Sequence, residues 1–172
     1  MAQRDAGVRS LNTEPVTVVD VPPEDRAGLE RILEESFEGW YLRHSKGTLR
    51  DVETVRAAMS SGKPVGLVML KTLEAGVAYV FYIAVDRVHR RAGVGTALLA
   101  DSLLRFKAVG VKEVFAGIEE DNGPSEGLFT SEGFARTSFS EVSKRHGRLR
   151  AVNMYRLMRI VPGEVLLRKD ID

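Results

Sequence analysis

The spacing of apolar positions changes several times along the chain, and each change predicts an element. VTVVDV (16–21) alternates weakly and predicts a strand. PPEDRAGLERILEESF (22–37) opens on prolines and acids, then sets Leu29, Ile32, Leu33 and Phe37 at helical spacing. Prolines suit the first turn of a helix, and acids suit its positive end. GWYLRHSKGTLRDVE (39–53) follows neither period and is expected to be irregular. VRAAM (55–59), the turn SSGK and PVGLVMLKT (64–72) predict a hairpin, with Pro64 as a strand's first residue. After the turn EAG, VAYVFYIAV (77–85) predicts a long apolar strand.

The period then becomes helical. In AGVGTALLADSLLRFKAVG (92–110), Val94, Leu98, Leu99, Leu103, Phe106 and Val109 share one broad face, interrupted by Ser102 and Arg105. Gly110 is a natural stop, and VKEVFAGI (111–118) is the next strand. Strand, helix and strand in such short succession predict a right-handed crossover between parallel strands. A short helix is expected at PSEGLFTSE. FARTSFSEVS (134–143) and LRAVNMYRLMRIV (149–161), joined by the basic KRHGR, are expected to form an antiparallel pair, and PGEVLLRKDID to be short and mixed. The whole predicts an α/β fold with a mixed sheet: one domain over 15–172, preceded by a flexible polar tail at 1–14.

Composition removes several chemistries. There is no cysteine, which excludes disulfides, thiolate metal sites and a cysteine nucleophile. His44, His89 and His146 lie far apart with no ligand-like pairing, so no metal site is expected. The apolar runs are too short to span a membrane, and the start lacks the apolar middle of a secretory signal. A cytoplasmic location without membrane contact is expected. A net charge of +1 gives no general pull toward nucleic acid.

The candidate chemistry lies in HRRAGVGTALL (89–99). A helix start leaves four backbone N–H groups unpaired and carries about half a positive charge. Gly93 and Gly95 let that backbone approach a ligand, Thr96 adds a hydroxyl, and Arg90 and Arg91 add charge. The site suits a phosphate or pyrophosphate, although paired glycines also mark plain turns. There is no Gly-Lys-Ser/Thr ending, so it is not a P-loop, and the third glycine of a dinucleotide fingerprint is missing.

Arg90-Arg91-Ala92-Gly93-Val94-Gly95 resembles the Arg/Gln-x-x-Gly-x-Gly/Ala signature of the GNAT superfamily of N-acetyltransferases. Ile83-Ala84-Val85-Asp86 resembles the end of its fourth strand. Asn122, Leu128-Phe129 and Gly133-Phe134 resemble its downstream "N…LY…GF" segment. The resemblance covers about residues 15–160. It implies a mostly antiparallel sheet with one central parallel pair flanked by helices, and acetyl-CoA as acyl donor. It further implies that the parallel strands splay and that Ile83, Ala84 and Val85 bond the pantetheine arm between them. Arg90, Arg91, Ala92, Gly93, Val94, Gly95 and Thr96 would then hold the pyrophosphate. Asn122 would bond the pantetheine or cap the short helix, and Phe129 would lie against the cofactor.

The chain departs from this pattern at its acid and base positions. The tyrosine of the "LY" pair is Phe129. The strand positions where family members carry a glutamate are Tyr79, Phe81 and Gly117. Glu119, Ser125 and Tyr155 are the substitute candidates, Glu119 because strand alternation sets it on the face of Gly117. Each has a structural or solvated alternative. Acceptors in the family approach between the first helical segments and the last hairpin, here GWYLRHSKGTLR and KRHGRLR. Both are basic, which suits a negatively charged protein surface around an amine or is a solvated turn. Trp40 and Tyr41 either line that approach or anchor the loop. The expected function is transfer of acetyl from acetyl-CoA directly to an amine, on a protein lysine or N-terminus or on a small molecule. The alternative is an acyl-CoA-binding regulatory module. The last strand and tail offer an edge to a second copy, which leaves a homodimer open.

Overall fold

The computed structural model describes residues 15–172; the tail expected at 1–14 lies outside the described residues. Seven strands form one sheet: β1 (Thr17–Asp20), β2 (Thr54–Ser60), β3 (Lys63–Glu74), β4 (Val77–Val85), β5 (Glu113–Glu119), β6 (Ala135–Thr137) and β7 (Glu164–Asp170). Their order is β1-β2-β3-β4-β5-β7-β6, antiparallel throughout except for the parallel pair β4–β5. The helices are α1 (Glu30–Ser36), α2 (Gly39–Asp51), α3 (Val94–Ala108), α4 (Gly123–Ser131), α5 (Phe139–His146) and α6 (Arg148–Met158).

One face of the sheet is covered by α3 and α4, where Leu98, Leu99 and Phe106 pack on Val68, Val80, Val114 and Leu167. Ser102, which seemed to break the apolar face of α3, is buried and donates its hydroxyl back to the Leu98 carbonyl at 2.7 Å. Arg105 leaves the core and pairs with Asp20. The other face is divided. The first two helices cover β2, β3 and the end of β4 through Ile32, Leu33 and Leu49. The last two cover Val77, Tyr79, Phe115 and Leu166 through Val142, Ala151 and Met154.

Three expectations fail. Residues 39–51 are helical, not irregular. The α2 helix has no side-chain N-cap, but Ser45, Thr48 and Leu49 are buried, and Arg26 donates to the carbonyls of Leu49 (3.2 Å) and Val52 (2.8 Å) at its end. Tertiary contacts outweigh a weak local preference. Residues 139–158 form two helices rather than a strand pair. The capping box Ser138–Glu141 starts the first, and Gly147 at φ 85° separates it from the second. Tyr155 therefore lies on α6, against Phe139. The segment read as short and mixed is β7, which sits inside the sheet between β5 and β6 rather than at an edge open to another copy.

A close approach locks the start of α3 to the sheet. A Cβ on Gly66 of β3 would meet Val94 Cγ1 at 3.0 Å, the Ala84 carbonyl at 3.1 Å and Leu98 Cδ1 at 3.1 Å. The expected outcome for Gly66→Ala is a loss of about 1–3 kcal/mol in stability, measured by urea unfolding. An unchanged midpoint would show that the α3 start moves freely against β3.

Candidate active site

The two parallel strands are paired only from Val77↔Glu113 to Val80↔Ala116, and beyond that they part. Each is held on its other side, β4 by β3 up to Gly66↔Val85, and β5 by β7 up to Glu119↔Glu164. The parting coincides with a bulge. Met69 faces Tyr82 and Leu70 faces Val80, which leaves Phe81 as the extra residue. Past the bulge, the Asp86 N–H bonds to the Val65 carbonyl at 2.9 Å. Antiparallel alternation then directs the peptide groups of Ala84 to β3 and those of Ile83 and Val85 toward the gap. Of the three residues expected to bond a ligand through the main chain, Ala84 is thus committed elsewhere.

The start of α3 lies beside this gap. Gly93 holds the N-cap position at φ 79°, in the left-handed region, and no side chain caps the helix. The ladder begins with Ala97 N–H to the Gly93 carbonyl at 2.9 Å, so the N–H groups of Val94, Gly95 and Thr96 have no intrahelical acceptor. Arg91 is also left-handed, at φ 60°, and alternation of such residues curls successive N–H groups into an anion-binding concavity. A Cβ on Gly93 would meet nothing within 4 Å, whereas one on Gly95 would meet Leu128 Cδ2 at 3.3 Å. The first glycine supplies conformation and open space; the second lets α3 pack on α4. Arg91 is exposed and forms no salt bridge among the described residues. Arg90 is differently employed: its Nε donates to the Val85 carbonyl at 3.0 Å and its Nη2 to the Glu35 carbonyl at 2.8 Å, clamping the end of β4 to α1.

A cavity of about 620 Å³ runs from this concavity along β4, lined by Ile83, Ala84, Val85, Arg90, Arg91, Gly93, Val94, Gly95, Thr96, Asn122 and Ser125. Of the predicted ligand contacts, Ala92 and Phe129 do not line it. Sequence reasoning missed Ser36, Phe37 and His89, which do; His89 is anchored to Asp86 at 2.6 Å. Asn122 caps α4 by accepting the Ser125 N–H at 3.1 Å, and it also faces the cavity. Phe129 is buried edge-on against Phe134.

The cavity narrows into a cleft of about 80 Å³ between β4 and β5, which shares Ile83, Asn122 and Ser125 with it and adds Tyr41, Phe81, Glu119, Phe129 and Glu164. On the far side lies an open cleft of about 570 Å³ with Tyr41, Glu119, Glu120 and Asp121 at its rim. None of these three carboxylates forms a salt bridge among the described residues. Of the two basic segments expected there, 39–50 reaches the cleft through Tyr41, but 144–150 is elsewhere. Arg145 and His146 pair with Glu113 at 3.6 and 2.6 Å, and Arg150 pairs with Glu74 at 2.6 Å. Glu113 opens β5 and Glu119 ends it, about 20 Å apart at ~3.3 Å per residue. The expected basic approach is therefore corrected: the rim is acidic.

The unfilled family positions also acquire a physical account. Tyr79 is buried, and a Cβ on Gly117 would lie 2.5 Å from its hydroxyl and 3.5 Å from Glu164 Oε2. The Tyr79 hydroxyl shuts a Cβ out of position 117, while Glu164 stands at ordinary contact distance from it. Burial raises the Glu164 carboxyl above its ordinary value, and Glu119 opposite it adds to the rise. The Val161 N–H (3.0 Å) and the Tyr41 hydroxyl (3.4 Å) oppose that rise by bonding the charged form. Burial likewise pushes the Tyr41 hydroxyl up to about 12. Tyr41 thus lines the site, while Trp40 stacks on His44, whose Nδ1 lies 2.7 Å from the Tyr82 hydroxyl.

Residues 20–134 match the acetyltransferase (GNAT) family. A mycothiol acetyltransferase from Actinosynnema mirum is 29% identical over an alignment of 127 residues that covers 67% of this chain. The chain spans only 42% of that curated relative's length. The ribosomal-protein-S18-alanine N-acetyltransferase from Escherichia coli superposes with a TM-score of 0.69 at 16% identity, covering 92% of this chain and 95% of that one. The PaiA N-acetyltransferase from Thermoplasma acidophilum, solved in complex with coenzyme A, does so with a TM-score of 0.69 at 14% identity, covering 92% and 100%. The split parallel pair, the uncapped glycine turn and the match over residues 20–134 converge, and the chain belongs to the acetyltransferase (GNAT) family, whose acyl donor is acetyl-CoA.

Proposed function

We propose that the domain over 15–172 is an N-acetyltransferase that moves acetyl from acetyl-CoA directly to a cationic amine, in the cytoplasm. The observation that carries this reading is the parted strand pair with uncapped helix N–H groups at one end. The Ile83 peptide groups and the Val85 N–H offer an amide-rich arm the partners that β5 does not supply, the Val85 carbonyl being held by Arg90. The N–H groups from Arg91 to Thr96 suit a diphosphate, with the Arg91 charge beside them. Acetyl then lies in the narrow cleft, and Asn122 and Ser125 border both compartments. The amine approaches from the opposite cleft, where the unpaired Glu119, Glu120 and Asp121 favour a positive charge. Positioning amine against thioester supplies about 7–11 kcal/mol of the barrier reduction. An acyl-CoA-binding module with little turnover is favoured by one observation, the apolar Phe129 where the family pattern has a proton donor.

Thiol release from acetyl-CoA against peptides, polyamines and amino acids separates the two readings; the expected outcome is turnover with at least one amine. Binding without release from any of them would favour the module. Gly93→Glu is expected to weaken acetyl-CoA binding at least about tenfold in calorimetry, or about 1.4 kcal/mol. Unchanged affinity would place the diphosphate elsewhere. Neutralising Glu120 and Asp121 together is expected to raise the acceptor KM several-fold at low salt and less at high salt. A salt-independent KM would remove the acidic rim from acceptor recognition.

A further inference from the structure

We propose that Glu164 of β7 accepts the proton released by the attacking amine. This rests on the acetyl-transfer reading above and assigns its missing base. Glu164 lines the narrow cleft where β4 and β5 part, directly opposite Glu119 in the β5–β7 register. Glu119 is exposed, whereas Glu164 is partly buried. Its Oε2 lies 3.5 Å, and its Cδ 3.8 Å, from where a side chain at position 117 would begin. The carboxylate thus occupies, from a neighbouring strand, space that a residue on β5 would otherwise fill.

Its two oxygens are held unequally. Oε2 accepts the Val161 N–H at 3.0 Å within a tight turn closed by Glu164 N–H to the Val161 carbonyl at 3.2 Å. Among the described residues Oε1 has only the Tyr41 hydroxyl, at 3.4 Å, and keeps lone-pair capacity for a further donor. Around the group stand Tyr41 from α2, Tyr79 and Tyr82 from β4, and Glu119 from β5. The cation Arg159, just past α6, acts on Tyr82 and His44. Burial raises the carboxyl's proton affinity, which makes the ionised form a stronger base. Partly buried Tyr41 remains protonated and continues to orient Oε1.

In the step, the cationic amine first loses one proton to solvent through the acidic cleft; its lone pair then forms the N–C bond to the thioester carbon, and the carbonyl pair moves to oxygen. One N–H proton passes to Glu164. The carbonyl re-forms, the C–S bond breaks, and coenzyme A leaves as thiolate. The thiolate takes a proton from solvent, and Glu164 returns its own to solvent through the acidic cleft. The balance is protonated amine plus acetyl-CoA to acetamide plus coenzyme A thiol and one proton released to solvent.

The test compares wild type with Glu164→Gln over a range of pH, using an amine that supports thiol release. The ratio of their kcat/KM values cancels the acceptor's own titration. It is expected to be near one at acid pH, where Glu164 is protonated. It should climb to at least about 100-fold as pH rises through the raised carboxyl pKa. Acetyl-CoA affinity by calorimetry should stay within about twofold. Glu164→Asp, which keeps a carboxylate, is expected to retain partial activity and the same rise with pH; it serves alone if the Gln variant does not fold. A ratio independent of pH, or an Asp variant without the rise, overturns the assignment and leaves acetyl transfer standing. A wild type inactive with every amine overturns both.

Discussion

Two neighbouring strands that share only their first few residues impose the constraint on which the rest depends. A parallel pair that continued past Val80 and Ala116 would satisfy its own backbone groups and leave nothing for a ligand. The bulge at Phe81 bends β4 away at that point, and β3 and β7 keep each strand in place on its outer side. The opening is therefore flanked by paired strands on both sides. The end at the start of α3 is fixed by the same logic. Gly66 admits Val94 and Leu98 against β3, and Arg90 ties the end of β4 to α1, so the concavity of N–H groups cannot drift from the strand edge it serves.

Charge is arranged along β5 with equal economy. At its start, the buried Glu113 is surrounded by Arg168, Arg145 and His146. A buried carboxylate needs such partners, and they take Arg145 and His146 of the 144–150 segment, while Arg150 pairs with Glu74. At its end, Glu119 and its neighbours Glu120 and Asp121 face solvent without salt bridges among the described residues. The field at this end of β5 is thus negative although the whole chain is nearly neutral.

Much of this was legible in the sequence where local and tertiary preferences agree. The hairpin, the long apolar β4, the crossover helix and its glycine turn all follow from period and punctuation. The α2 helix was not legible, because its stability comes from Arg26 and from burial of Ser45, Thr48 and Leu49, none of which is local. The α5–α6 region did carry signals: a capping box at Ser138–Glu141 and Ala151, Met154 and Met158 at helical spacing. The β-branched and aromatic residues around them suggested strands instead. Arg90 was read from its place in a signature, but a signature does not say whether the guanidinium meets a ligand or a carbonyl. Only its bonds to Val85 and Glu35 decide that.

The treatment of position 117 explains why reading catalytic positions one at a time found only departures. Tyr79 on β4 projects its hydroxyl into the space a side chain at 117 would need, so β5 must carry glycine there. That glycine in turn leaves room for a carboxylate reaching across from β7 at Glu164. Tyr79, Gly117 and Glu164 are one packing solution spread over three adjacent strands. A change at any one alters what the other two can be. A strand far along the chain, joining the sheet only after α5 and α6, therefore supplies the chemistry that β4 and β5 have given up. Register across strands, rather than position along one, decides where the carboxylate stands.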